Sequence, residues 1–179
     1  MQRNFRGVKF AVWIVAATSG LLFASPVTAS DAALSAPQSM DELVRMPACQ
    51  LEALYRFSPP APVPCGFVPG RAIKNPGSRT TVLNSRATQF VWQGKIFRND
   101  GTMINRFFGV LRVIPADVYV GESWLDGRPS LILDYSRSVL WSDVRDEIRE
   151  VSPGLYLGIM YRTRSGQPQQ VTYFTLDTR

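Results

Sequence analysis

The chain has 179 residues, of which 20 are basic and 14 are acidic, and its formal net charge is +6. It contains no histidine, which excludes Ser-His-Asp and Cys-His catalysis and any zinc or iron site built on imidazole. Carboxylate, Lys, Tyr and Ser/Lys chemistry is left. No phosphate-binding glycine loop, metal-ligand spacing or GxSxG elbow occurs, so we expect no cofactor and no metal.

The N-terminus carries the pattern of an export signal. Three basic residues within residues 1–9 precede an uncharged apolar run over residues 10–24, and Val27-Thr28-Ala29 resembles a signal-peptidase site. The run is shorter than the roughly 20 residues that span a bilayer. We therefore predict a cleaved signal peptide over residues 1–29, a protein of the periplasm or the exterior, and membrane contact only through this leader.

Cleavage lowers the net charge of the chain. It leaves 17 basic residues against 14 acids, or about +3, with no basic run that would follow a phosphate backbone. Nucleic acid is therefore not expected as a partner.

Residues 30–70 are predicted to form a leader, two short helices and a linker. Ser39 and Glu42 fit a capping box, which predicts a helix that ends near Met46. Leu51, Leu54 and Tyr55 share one face of a second helix, which begins at Pro47.

Five prolines between residues 58 and 70 predict an extended linker. Cys49 and Cys65 flank much of it, and an exported chain enters an oxidising compartment. We predict a disulfide between these two cysteines that ties the linker down, with a loop contribution of about 3 kcal/mol.

After Gly77, alternation and turn signals predict strands. A strand over Thr88–Phe97 would place Thr88, Phe90, Trp92, Gly94 and Ile96 on one face, and Gln89, Val91, Gln93 and Lys95 on the other. Asn99-Asp100-Gly101 predicts a hairpin turn. A second strand is expected over Met103–Ile114, with a bend at Gly109 and an end at Pro115.

The later strands are predicted from the same signals. They are Val118–Val120, Leu131–Tyr135, Leu155–Tyr161 and Val171–Leu176. Residues 141–151 fit either a helix or a turn followed by a strand from Asp146, and the strand is favoured because Pro153-Gly154 follows. Short strands without βαβ alternation predict a mainly β domain over residues 71–179, an antiparallel barrel with a short N-terminal helical segment.

Several motifs resemble those of small bacterial lipocalin-like domains of unassigned function. They are the WxGKxF-type strand Trp92-Gln93-Gly94-Lys95-Ile96-Phe97, then Asn105-Arg106-Phe107, Asp134-Tyr135 and Gly154-Leu155-Tyr156-Leu157-Gly158. The resemblance implies a calycin-type barrel whose cavity could hold a small apolar ligand. The chain departs from the pattern of true lipocalins in two ways. Their first strand carries a GxW motif, whereas Phe90-Val91 precedes Trp92 here. Their last strand carries an Arg that packs over this Trp, and the nearest analogues here are Arg162 and Arg164.

The apolar face of the predicted barrel either lines a cavity or fills a core. Its members are Phe90, Trp92, Ile96, Phe107, Leu131, Leu133, Tyr156 and Met160. Asp134 alternates with Leu131 and Leu133, and it is either a polar contact for a ligand, with Arg106 as partner, or an exposed acid.

The densest charged run is expected to be a solvated face. It comprises Asp143, Arg145, Asp146, Glu147, Arg149 and Glu150. Asp146 and Glu147 would point to opposite faces of a strand and cannot act as one dyad, but one of them could point inward with an Arg partner. In the loop Glu122-Ser123-Trp124, the Trp either gates a pocket, contacts a membrane or packs locally.

These patterns predict an exported lipocalin-like barrel that binds a small hydrophobic or amphipathic molecule non-covalently. The predicted ligand-binding residues are Phe90, Trp92, Arg106, Phe107, Asp134, Tyr156 and Met160. Two alternatives remain open. One is an isomerase, cyclase or hydrolase that uses Asp134 or Glu147 as acid or base, and the other is a structural or interaction module of the cell envelope.

Overall fold

A computed structural model describes residues 36–179 of the chain as three helices and eight strands. The elements in order are α1 (Met40–Arg45), α2 (Ala48–Phe57), β1 (Gly66–Ile73), α3 (Thr81–Val91), β2 (Trp92–Phe97), β3 (Thr102–Phe107), β4 (Leu111–Glu122), β5 (Pro129–Asp134), β6 (Val144–Ser152), β7 (Leu155–Arg164) and β8 (Gln167–Asp177). The predicted signal peptide and its cleavage site lie outside the described residues.

The eight strands form a closed antiparallel barrel. Each strand pairs with the next one along the chain, and β1 pairs with β8 to close the ring. Closure leaves no exposed sheet edge. The prediction of a mainly β, antiparallel barrel with a short N-terminal helical segment is confirmed.

The barrel is packed on both sides of its wall, as β7 shows. Tyr156 points into the interior core, whereas Leu155, Leu157 and Ile159 belong to a second core outside the barrel. Residues of α1 and α2, such as Leu51, cover that outer core. Burial on both faces explains why β7 is a nearly continuous apolar run rather than an alternating one.

The N-terminal helix begins as its capping signal predicts. Ser39 Oγ accepts a hydrogen bond from the backbone N–H of Glu42 at 3.2 Å, and the Glu42 carboxylate accepts one from the N–H of Gln38 at 2.8 Å. The helix Met40–Arg45 is therefore capped from both directions.

Two predicted elements near the start of the barrel are wrong. Thr88–Phe97 is not one strand, because α3 continues to Val91 and β2 begins at Trp92. Residues 88–91 alternate over only four positions, which is too short a pattern to distinguish the end of a helix from the start of a strand. Residues 66–70, predicted as linker, belong to β1, whose Pro69 is tolerated because pairing with β8 starts only at Gly70.

The predicted strand Met103–Ile114 is two strands, β3 and β4, joined by a tight turn. Phe108 and Gly109 in this turn both have positive φ angles, of 47° and 80°. Pro115 does not end a strand but lies inside β4, next to a bulge at Ile114. The ladder is already interrupted there, so the missing N–H of Pro115 costs little.

The predicted disulfide is not formed, and both cysteines are exposed free thiols. The Cys65 thiol instead donates to Asn99 Oδ1 in the β2–β3 turn at 3.5 Å. Cys49 lies in the first turn of α2.

Within residues 36–179, none of the three helices combines the length and the apolar character needed to cross a membrane.

Candidate ligand-binding cavity

One end of the barrel contains a cavity of about 510 Å³. Its apolar walls come from Ala72, Val91, Trp92, Phe107, Trp141, Met160, Val171 and Phe174, and its polar lining includes Lys74, Lys95, Asn105, Asp146 and Arg162. Val91 and Val171 are also partly exposed, which marks the mouth where β1 ends and β2 begins. A volume of this size suits a small ligand.

A bulge in β2 turns two side chains into the barrel. The register of β2 against β3 shifts between Trp92 and Gly94, so that Trp92 and Lys95 both face inward although they are three residues apart. Gly94 makes this possible: its φ is 139°, and a Cβ there would lie 2.1 Å from the carbonyl oxygen of Val68. The bulge therefore depends on glycine.

A second bulge supplies a buried carbonyl group. Asn105 pairs with Val113 and Ile104 with Pro115, which leaves Ile114 as the extra residue. The carbonyl of Ile114 accepts a hydrogen bond from Asn105 Nδ2 at 3.1 Å. Because a carbonyl can only accept, this bond fixes which way the Asn105 amide is turned.

Four buried polar residues at the inner end of the cavity form what we call the inner cluster: Lys95, Asn105, Tyr135 and Asp146. Lys95 Nζ donates to Asp146 Oδ2 at 2.8 Å, to the Tyr135 hydroxyl at 2.7 Å and to Asn105 Oδ1 at 3.2 Å. The Tyr135 hydroxyl donates in turn to Asp146 Oδ2 at 2.9 Å. A buried ion pair is thus embedded in neutral hydrogen-bonding groups.

The surroundings shift the proton affinities of this cluster. Burial lowers the pKa of Lys95, and the nearby Asp146 carboxylate opposes that shift. Burial, together with the charge of Asp146, raises the pKa of Tyr135 well above its usual value. Three aromatic rings also face the Lys95 ammonium, with centroids 5.0 Å (Phe174), 5.3 Å (Trp92) and 5.5 Å (Tyr135) from Nζ.

One atom of the inner cluster has no partner. Asp146 is only 3% exposed, and its Oδ1 makes no hydrogen bond to any group within residues 36–179. Asp146 also lines the cavity. A buried carboxylate oxygen normally accepts hydrogen bonds, so this atom lacks its usual partner at a residue that borders the cavity.

Two glycines give the cavity its shape. A Cβ at Gly158 would lie 2.1 Å from the Phe174 ring, and a Cβ at Gly70 would lie 2.7 Å from the Trp92 ring. Without side chains at these positions, the two rings meet edge to face with centroids 5.9 Å apart. They form one wall beside the inner cluster.

The structure brings together three of the seven predicted ligand-binding residues. Trp92, Phe107 and Met160 line the cavity. Tyr156 is buried in the interior core but lies outside the cavity lining.

The other three predicted residues are outside the barrel. Phe90 is 79% exposed on α3, and Arg106 donates to the Gly109 carbonyl at 2.7 Å and stacks on Phe67. Arg106 does not pair with Asp134. The Asp134 carboxylate instead accepts from the Tyr119 hydroxyl at 3.1 Å, and although burial opposes it, hydrogen bonds from Ser136 and Tyr119 lower the Asp134 pKa.

The expectation that the charged run of β6 is a solvated face is wrong, because Asp146, Glu147 and Arg149 are all buried. Asp146 and Glu147 do lie on opposite faces. Asp146 points inward, but its partner is Lys95 rather than an arginine.

The outward-facing part of this run lies under α2 and belongs to what we call the outer cluster: Tyr55, Ser123, Asp126, Glu147 and Arg149. Arg149 is 0% exposed and holds both carboxylate oxygens of Asp126, at 2.7 and 2.8 Å. Glu147 accepts from the backbone N–H of Trp124 at 2.8 Å and from the Ser123 hydroxyl. This cluster lies away from the cavity.

Trp124 packs locally. Its ring meets the ring of Tyr161 at 5.5 Å, and the Arg145 guanidinium lies 4.4 Å from its centroid. It does not line the cavity, so of the three interpretations of this loop the structure fits local packing.

Sequence patterns missed most of the cavity lining, including three members of the inner cluster. Lys95 was placed on the polar face because the bulge was not foreseen, and Asn105, Tyr135 and Trp141 were not singled out as ligand contacts. A glycine one residue before Lys95 was the available signal, since glycine inside a strand marks a bulge.

Among residues 36–179, no three Asp, Glu or Cys side chains are placed to hold a metal ion.

The fold and site thus define a closed eight-stranded barrel with a mixed apolar and polar cavity at one end. No model of a known protein family matches the sequence, and no curated protein matches it. A crystal structure of a protein from Thermomonospora curvata is similar, with 18% identity, a TM-score of 0.49, and 75% of this chain and 90% of that chain covered. This likeness carries no functional argument.

Proposed function

We propose that the chain is an exported lipocalin-like barrel that binds a small hydrophobic or amphipathic molecule non-covalently in its end cavity. The observation that supports this most directly is the cavity of about 510 Å³, which lies within the roughly 300–1,000 Å³ of small-molecule sites. On the strength of the signal peptide expected over residues 1–29, we propose the periplasm or the exterior as the location of the protein.

The lining supports an amphipathic ligand rather than a purely apolar one. Trp92, Phe107 and Met160 offer an apolar surface, while Asp146 presents a polar atom at the inner end. Such sites commonly combine apolar walls with a few placed polar groups.

The enzyme alternative has less support. Neither Asp134 nor Glu147, the carboxylates suggested for it, lines the cavity. Among the described residues, the one carboxylate in the cavity lining is Asp146, which is tied to Lys95, so a carboxylate-dependent reaction there would have to use it.

The test is to fill the cavity. Ala72 lines it, so Ala72→Trp should occupy part of its volume and weaken the binding of an apolar fluorescent dye at least about 10-fold. The matched control is Leu83→Trp on α3, which is 68% exposed and outside the cavity lining, and it should leave dye binding unchanged.

Binding is measured by dye titration, with circular dichroism to confirm that both variants fold. If the wild-type protein binds no apolar probe, the proposal is wrong. If Ala72→Trp folds and binds the dye as well as the wild type does, the site is elsewhere.

A further inference from the structure

The inner cluster uses nearly all of its hydrogen-bonding capacity internally. The three ammonium protons of Lys95 go to Asp146, Tyr135 and Asn105. An ammonium group has no further donor and no acceptor. Lys95 is therefore saturated and has no free proton to offer to a ligand.

The two neutral members are saturated as well. The Tyr135 hydroxyl accepts from Lys95 and Asn105 and donates to Asp146. The Asn105 amide donates to Tyr135 and to the Ile114 carbonyl, and its oxygen accepts from Lys95 and from Trp92 Nε1 at 2.9 Å.

Asp146 is the member that retains capacity. Its Oδ2 accepts from Lys95 and Tyr135, whereas Oδ1 has no partner within the described part of the chain. The cluster therefore has one unused hydrogen-bond acceptor, on a residue that lines the cavity, and no free donor.

We infer that the ligand carries an O–H or N–H group at the end that reaches Asp146, as an alcohol or an amine does, and that this end is neither a carboxylate nor an ester. This inference rests on the proposed function. A carboxylate placed there would face Asp146 Oδ1 with no proton between them, and an ester would leave that oxygen unpaired.

The experiment compares four probes of one chain length: decanol, decylamine, decanoate and methyl decanoate. Each competes with an apolar fluorescent dye for the purified protein at neutral pH. Decanol and decylamine should displace the dye at concentrations about 10- to 100-fold lower than decanoate and methyl decanoate.

A single isosteric change should invert this order. In Asp146→Asn, the amide oxygen is held by the donors Lys95 and Tyr135, so that the NH₂ group takes the place of Oδ1. The site then offers a donor, and the preference for decanol over methyl decanoate should fall to about parity or reverse.

The matched control is Glu147→Gln, the same chemical change one residue away on the opposite face of β6. It should keep the wild-type order of the four probes. Equal displacement by all four probes would overturn the inference while leaving the proposed function intact, whereas displacement by none would contradict the proposed function itself. If Asp146→Asn keeps the wild-type preference for decanol, that preference does not come from Asp146, and the inference is overturned.

Discussion

Asp146 and Glu147 are neighbours in the sequence, yet they belong to the inner and the outer cluster, which bury charge in different ways. Glu147 is enclosed under α2 and accepts from a backbone N–H and a hydroxyl, with the Arg145 guanidinium 3.2 Å away. Asp146 keeps one oxygen without a partner beside an open cavity.

This difference separates a structural role from a binding role. A buried polar network whose partners are complete holds elements together, whereas an unpaired buried atom next to a cavity needs a partner from outside the chain. We therefore expect changes in the outer cluster to affect stability, and changes in the inner cluster to affect ligand choice as well.

The largest expected effect is that of Arg149→Met. Arg149 links Asp126 in the β4–β5 loop to the carbonyl of Tyr55 at the end of α2, the latter at 3.0 Å. Its removal leaves a buried carboxylate and carbonyl groups without their donor, and it should lower the free energy of unfolding by about 3–5 kcal/mol. Urea unfolding followed by circular dichroism measures this.

The control for this change is Arg56→Met. Arg56 is bonded to Glu52 at 2.8 Å, but both side chains are about 40% exposed, and such a pair contributes about 0–1 kcal/mol. Equal losses in the two variants would contradict the assignment of Arg149 to a structural role.

Lys95→Met should have a smaller effect on stability. It also breaks a buried ion pair, but Asp146 borders the cavity and keeps the Tyr135 hydroxyl as a donor, so the expected loss is about 1–3 kcal/mol. A loss as large as that of Arg149→Met would show that the inner cluster is as closed as the outer one. The same urea titration decides between these outcomes.

The sequence predicted the barrel because several of its strands carry period-two alternation and its turns carry glycine. It could not place β1, since Pro69 argues against a strand unless the position of β8 is known. It also could not reveal α3, because residues 88–91 fit either period and only their packing decides.

The site was harder to predict than the fold. Trp92, Phe107 and Met160 follow from alternation, but a single bulge after Trp92 reverses the faces that follow, and Lys95 moves from outside to inside. Each bulge in a strand switches the side of the sheet on which all later residues lie. The sequence signals such a bulge only through a residue such as Gly94, whose backbone conformation the bulge requires.

The smallest expected effect is a difference in how the two clusters respond to pH. A hydrogen bond from Arg149 lowers the pKa of Asp126 below its ordinary 3.8, so that this contribution to stability is present above 3.8 and is lost as pH falls through the lowered value. Asp126→Asn should flatten this acid limb.

Lys95 acts at the alkaline end of the pH range, because burial lowers its pKa from 10.5. Between the lowered value and 10.5 the unfolded chain binds more protons, so Lys95 makes stability rise with pH there.

Lys95→Met should remove this alkaline rise, and Asp126→Asn should leave it in place. Buried tyrosines, among them Tyr135 and Tyr55, set its upper limit: burial raises their pKa, so the unfolded chain ionises first, near 10.0, and stability falls above that pH. Urea midpoints measured across the pH range for the wild type and both variants show these limbs separately. If either substitution flattens both limbs equally, the two clusters are coupled through β6, and the separation of their roles by strand face is wrong.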